Sequence, residues 1–206
     1  MCRVLAIRAL KSSRLGAALS WAIKSKDVAF ASFVAEKLLT DYSLTGRFSH
    51  LDILDHLGPD MVLSEKLAFL GKYREFHLLY ETSEFARAGQ LLLSLLTAKL
   101  APKRFWLMLL MDTLPLLESD RVVFDVDDTY ELLHCLEELR TWSKVESAAP
   151  SSSMGETDDV NGAVDDDDGE TASLDEEKTG LLRLALARNL ARALVEPAAV
   201  AAAPES

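Results

Sequence analysis

Apolar residues recur at intervals of three and four along most of this chain, the spacing that lines one face of an α-helix. A first helix is predicted from Arg3 to Lys11. A second covers Leu15 to Ser25, with Leu15, Ala18, Leu19, Ala22 and Ile23 on one face. Asp27 has the side chain of an N-cap for a third, carrying Phe30, Phe33, Val34 and Leu38 and ending at Gly46, a C′ glycine. Ser49 opens a short helix with Asp52 in capping-box position, closed by Gly58-Pro59. Ser64 caps the next, whose aromatic stripe is Phe69, Tyr73, Phe76 and Tyr80. Thr82 or Ser83 starts another, reaching about Leu100, with Phe85, Ala88, Leu92, Leu95 and Leu96 together.

The run from Phe105 to Met111 holds seven uncharged apolar residues. A helix apolar all round must be covered on every side, so this run predicts layered helices around the segment Lys103 to Glu118. Pro115 lacks a donor and crowds the carbonyl of Met111, which predicts a kink or an end near Leu114. Asp127 or Asp128 caps a helix through Trp142, with Tyr130, Leu133, Leu136 and Leu139 inward. The expected core therefore includes Phe69, Tyr73, Phe76, Phe105, Trp106, Leu109, Leu110, Tyr130 and Leu133. The only strand-like stretch is short, Arg121 to Val126. The fold class is all-α, an irregular α-solenoid of stacked antiparallel helix pairs with no fixed sequence period.

Charge divides the chain further. Of its 33 acidic residues, 12 lie between Glu146 and Glu177 with no basic residue among them, leaving 21 against 22 basic residues elsewhere. Ser, Gly, Asp and Glu dominate residues 144–176, and too little apolar surface is available there to offset the entropy of ordering. The expected organisation is a helical solenoid over 1–143, a disordered acidic linker over 144–176, a C-terminal helix over 177–195 that packs on the body or a partner, and a flexible tail over 196–206. The near-neutral body has no basic stripe, which argues against direct nucleic-acid binding. From Met1 to Lys26 there are six basic residues and no acid, which fits a basic helical hairpin and, as a second reading, a mitochondrial transit peptide. No apolar run approaches the roughly 20 residues of a membrane span.

Candidate chemistry is sparse. Cys2 and Cys135 form no CxxC pair and suggest neither a disulfide framework nor a zinc site. His50, His56, His77 and His134 stand apart, and no HExxH, P-loop, GxGxxG, GxSxG or SxxK arrangement occurs. An EF-hand reading around Gly169 would put Val164, which has no ligand oxygen, at the first position. No catalytic residue, cofactor or metal is expected. Ser153 and Ser173, each with a Glu three residues on, and Thr157, followed by two Asp, are candidate phosphorylation sites for an acid-directed kinase.

Several stretches carry a resemblance. Leu57-Gly58-Pro59, Leu70-Gly71-Lys72-Tyr73-Arg74-Glu75-Phe76-His77, Phe105-Trp106 and Asp112-Thr113-Leu114-Pro115-Leu116-Leu117-Glu118 resemble the nucleoporin 85 family. So do Thr129-Tyr130-Glu131-Leu132-Leu133 and the segment Leu182 through Arg192. The resemblance implies a structural scaffold segment of the Y-shaped subcomplex of the nuclear pore, supporting transport of mRNA and protein. It implies the nuclear envelope as location, with the kinetochore in mitosis as a further family site. It implies other helical hub nucleoporins as partners, and only the C-terminal part of the family's length. The β-blade that completes a partner's propeller has no counterpart here, so that contact is not expected. The residues proposed to meet a partner are Leu182, Leu186, Leu190, Arg188 and Arg192. The alternative is a signalling adaptor that holds cytoplasmic receptor-tail peptides between helices.

Overall fold

Three of the connections between helices share one local geometry. Ser13, Lys26 and Ser83 each adopt positive φ, at 55°, 52° and 62°. At each, the N–H of that residue bonds the carbonyl three back, and the next N–H bonds the carbonyl five back: Ser13 to Leu10 and Arg14 to Ala9, Lys26 to Ile23 and Asp27 to Ala22, Ser83 to Tyr80 and Glu84 to Leu79. This is the Schellman closure of a helix C-terminus. The residue after it caps the next helix, so each helix turns back after a minimal link.

The computed structural model describes residues 2–46, 58–148 and 167–195. Among them are eight α-helices: α1 (Cys2–Lys11), α2 (Leu15–Lys24), α3 (Val28–Thr45), α4 (Glu65–Glu81), α5 (Phe85–Thr97), α6 (Trp106–Leu117), α7 (Val126–Ala148) and α8 (Asp167–Val195). Short 3-10 turns occupy Gly58–Leu63 and Lys103–Phe105. No strand occurs among the described residues, and Arg121 to Asp125 are irregular. The all-α expectation holds. The chain divides into two compact units, one built on residues 1–109 and one on residues 110–200.

In the first unit the helices pack in chain order: α1 on α2, α2 on α3, α3 on α4 and α4 on α5. Three of the caps read from the sequence, Asp27, Ser64 and Gly46, form as expected. Asp27 accepts from the Phe30 N–H at 3.1 Å and Ser64 from the Leu67 N–H at 3.2 Å. Gly46 closes α3 at φ 66°. For α5 the N-cap is Glu84 rather than Thr82 or Ser83, because Ser83 is committed to closing α4. Gly58-Pro59 opens a 3-10 turn, whose Met61 sits on α4: a Cβ at Gly71 would lie 2.6 Å from its sulfur. The short helix expected at Ser49 lies outside the described residues.

Phe69, Tyr73 and Phe76 are fully buried, whereas Tyr80 is partly exposed. Phe69 stacks on Tyr73 and on Phe105, with centroids 5.8 and 6.3 Å apart. Tyr73 meets Tyr42 edge-on at 5.3 Å. Trp106 is buried and its indole N–H donates to the Ala101 carbonyl at 2.9 Å. Glu36 on α3 pairs with both Lys66, in the first turn of α4, and Arg104. One carboxylate thus meets cations from two other segments of this unit.

Within the run Phe105–Met111, Phe105, Trp106, Leu109 and Leu110 are buried, while Leu107, Met108 and Met111 are half-buried. The run is covered less completely than an all-round apolar helix suggests. Pro115 does not stop α6, which continues to Leu117. The Glu118 N–H still donates to the Leu114 carbonyl at 2.9 Å, and the Pro115 ring lies on the exposed side. The proline therefore removes one backbone bond within the last turn, where the helix is about to end anyway.

In the second unit, α7 is capped by Asp125 rather than by Asp127 or Asp128. The Asp128 N–H donates to Asp125 Oδ1 at 2.8 Å, and Asp125 N–H returns to Asp128 Oδ2 at 3.4 Å. This reciprocal pair is a capping box built from two aspartates. The inward face of α7 is Thr129, Leu132, Cys135, Leu136 and Leu139. Tyr130, expected in the core, is 57% exposed, and Leu133 is half-buried. Leu136 and Leu139 are buried as expected, while in the first half of α7 the inward stripe is shifted by one residue, to Thr129 and Leu132. Helix also covers 144–148 and 167–176, which were assigned to the acidic linker. Glu and Ala favour helix there. The rest of the expected linker, 149–166, and the tail, 196–206, lie outside the described residues.

Candidate functional site

The candidate partner residues all lie on α8, which packs against α7. Along α8 the buried residues are Leu182, Ala185, Leu186, Asn189 and Ala193, a single stripe at helical spacing. Leu182 and Leu186, proposed above as partner contacts, therefore belong to the chain's own core. Leu190 is half-buried and Arg188 is exposed.

Arg192 has a different task. Its Nη1 donates to the carbonyls of Ser119 at 2.8 Å and Leu117 at 3.4 Å, and its Nη2 donates to the Asp120 carbonyl at 2.7 Å. These carbonyls close the C-terminal end of α6, where backbone acceptors lack helical partners and positive charge is favoured. The planar guanidinium reaches three acceptors at once, a geometry that a lysine cannot reproduce.

One turn away, Asn189 is buried and its Nδ2 donates to the Phe124 carbonyl at 3.0 Å and to Thr129 Oγ1 at 2.9 Å. Thr129 Oγ1 in turn donates to the Asp125 carbonyl at 2.5 Å. The Oδ1 of Asn189 meets no donor among the described residues. Arg183 adds an ion pair with Glu137 of α7, exposed enough to contribute little. Asn189 is not among the residues singled out from the sequence, and Arg192, expected at a partner contact, instead closes the end of α6. The available signal was a lone Asn on the apolar stripe of a Leu- and Ala-rich helix, since a buried amide is retained there only when hydrogen-bonded.

The remaining candidates are dispersed. His77 is largely buried, with Nε2 3.1 Å from the Tyr42 hydroxyl and its ring 4.7 Å from that of Tyr73. Burial, and secondarily the Arg74 charge, lower its pKa to about 4. His134 is exposed, its neighbour Cys135 is buried, and Cys2 and Cys135 are both free thiols. His50, His56, Ser153 and Thr157 lie outside the described residues, while Ser173 falls within α8. Among the described residues no group of three His, Cys, Asp or Glu could hold a metal ion, and no helix is long and apolar enough to cross a membrane.

What the arrangement offers is surface. Helices α1 to α5 pack in chain order in the first unit, and α8 packs on α7 in the second, where Asn189 and Arg192 tie α8 to the backbone on either side of the α6–α7 link. This defines an all-α protein of the solenoid-like, stacked-helix class. Residues 1–138 match the Nup85 nucleoporin family, and the chain belongs to that family. It is 50% identical over 196 residues to Nuclear pore complex protein Nup85 of Danio rerio, covering 95% of this chain and 27% of that protein. It is 49% identical over 195 residues to the Homo sapiens protein of the same name, with the same coverage. It is 39% identical over 196 residues to Nuclear pore complex protein Nup75 of Drosophila melanogaster, covering 28% of it. The chain thus spans about a quarter of the length of these curated relatives.

Proposed function

We infer that this chain is a structural segment of the nuclear pore complex, located at the nuclear envelope. It docks to other helical nucleoporins of the Y-shaped subcomplex and so supports passage of mRNA and protein. The observation that carries this reading is half identity to nuclear pore proteins over 95% of the chain. The fold is consistent with it: α1 to α5 pack each on its chain neighbour, as in helical scaffolds whose stability comes from adjacent contacts.

The test is co-purification of the tagged chain from a nuclear-envelope extract. Stoichiometric recovery of helical nucleoporins is expected, surviving physiological salt. Recovery of receptor-tail peptides in place of nucleoporins would replace this reading with the adaptor one. Recovery of neither would remove both.

A further inference from the structure

The chain has four tyrosines: Tyr42, Tyr73, Tyr80 and Tyr130. Tyr42 and Tyr73 are buried in the first unit, and the Tyr42 hydroxyl lies 3.1 Å from His77 Nε2. Tyr80 is partly exposed, its ring against those of Phe76 and Phe85 with centroids 6.3 and 5.4 Å apart. Tyr130 is the most exposed of the four, and among the described residues no ring contact, ion pair or hydrogen bond engages it. Its hydroxyl is spare to the fold.

The surroundings of Tyr130 carry one sign of charge. Asp127 and Asp128 lie three and two residues before it, and Glu131 follows it directly. Asp127 and Glu131 are exposed beside it. The three residues before Tyr80 are His77, Leu78 and Leu79, with no acid among them. A modifying enzyme that selects acidic flanks through its own Lys or Arg therefore distinguishes Tyr130 from the other three, since charge patterns of this kind set kinase specificity.

A protein kinase takes its acceptor hydroxyl from an extended segment. Arg121 to Asp125 are already irregular, so only residues 126–130, little more than the first turn of α7, stand between Tyr130 and that form. Helix ends open more readily than helix interiors. This one is fastened at identifiable points: Asp125 and Asp128 cap each other's N–H, and Thr129 is held by Asn189 of α8. Opening the turn breaks bonds that can be weakened one at a time.

We propose that Tyr130 is the phosphate acceptor for an acid-directed protein tyrosine kinase, reached when the first turn of α7 opens. The phenolic Oη attacks the γ-phosphorus of ATP, the bond from that phosphorus to the bridging oxygen of ADP breaks, and the phenolic proton passes to the kinase's catalytic carboxylate. The product adds nearly two negative charges between Asp127 and Glu131. With the helix re-formed, this side of α7 is an acidic spot that a basic surface holds and an acidic surface avoids.

The test expresses the full chain in cultured cells whose tyrosine phosphatases are inhibited with vanadate, and maps phosphotyrosine by mass spectrometry. Phosphate is expected on Tyr130 at a level at least about tenfold above Tyr80, and none on Tyr42 or Tyr73. The purified chain is then treated with Mg-ATP and the catalytic domain of an acid-directed tyrosine kinase. Asp127→Asn combined with Glu131→Gln should lower the initial rate about fivefold, whereas a merely loosened helix would raise it. Asn189→Ala should raise the rate at least about threefold, and Arg192→Ala by less, at a temperature where circular dichroism shows each chain folded. An unmodified Tyr130 in peptides recovered from those cells, or equal modification of Tyr80, would overturn the proposal. So would a rate indifferent to the loss of both acids. A rate unmoved by Asn189→Ala would overturn the opening step.

Discussion

Asn189 donates to Thr129 Oγ1 across 2.9 Å, a buried hydrogen bond between residues sixty apart in the chain. The same amide holds the Phe124 carbonyl, so one side chain fastens α8 to the start of α7. Asn189→Ala leaves that buried carbonyl without its donor. It should destabilise the chain by about 2–3 kcal/mol, since each buried polar group left unpaired costs roughly 1–3 kcal/mol. Urea unfolding is the measurement, and a loss below about 0.5 kcal/mol would show the bond to be incidental.

Arg192→Ala should cost about 1–2 kcal/mol through the three carbonyls it leaves, and Arg192→Lys should recover less than half of that. Thermal melting of the two variants distinguishes a forked contact from simple charge at the end of α6. Equal rescue by lysine would favour charge alone.

His77 makes stability depend on pH. Its folded pKa of about 4 lies below the unfolded value of 6.5. Protonation therefore favours the unfolded chain. The contribution is complete above pH 6.5 and is lost as pH falls towards 4. It amounts to at most about 3 kcal/mol, by the 1.36 kcal/mol per pKa unit of linkage. Chemical denaturation at pH 7 and pH 5 should show wild type losing more stability than His77→Gln. Parallel losses would place the pH sensitivity elsewhere.

The two sides of α8 should respond unequally to the same substitution. Leu186→Asp buries a charge in the second unit's core and should abolish cooperative folding of that unit. Leu184→Asp, on the exposed side, should change stability by no more than about 0.5 kcal/mol. Circular dichroism reads both. A folded Leu186→Asp would contradict the burial of that stripe.

Ser83 adopts positive φ at the turn between α4 and α5, a conformation that glycine tolerates without a Cβ clash. Ser83→Gly should stabilise the first unit by about 0.5–1 kcal/mol. A lowered melting temperature would mean that the serine side chain supports the turn in some other way.

Much of this architecture can be read from local pattern. Asp27, Ser64 and Gly46 stand where capping rules put them, because a cap depends only on residues within a turn of it. The phase of α7 was harder. Leu132-Leu133 and Leu136 allow two neighbouring stripes, and the cap fell on Asp125 because Asp128 can reciprocate from the third position. The side on which α8 meets its own unit was not legible either. Leucines occupy both sides, Leu181, Leu184 and Leu194 on one and Leu182 and Leu186 on the other. Which side turns inward is decided by Asn189 and Arg192, whose partners lie 60 to 75 residues upstream, beyond any local pattern.

Those two anchors also set an order of events during synthesis. The link between α6 and α7 leaves the ribosome early, with the carbonyls of Leu117, Ser119, Asp120 and Phe124 still lacking donors from α8. About seventy further residues must be translated before Asn189 and Arg192 arrive, which at 5–20 residues per second is several seconds. During that interval the nascent second unit is an unfinished helix with Leu132 and Leu136 uncovered, a natural substrate for a chaperone and the moment when a competing helix could take the place of α8.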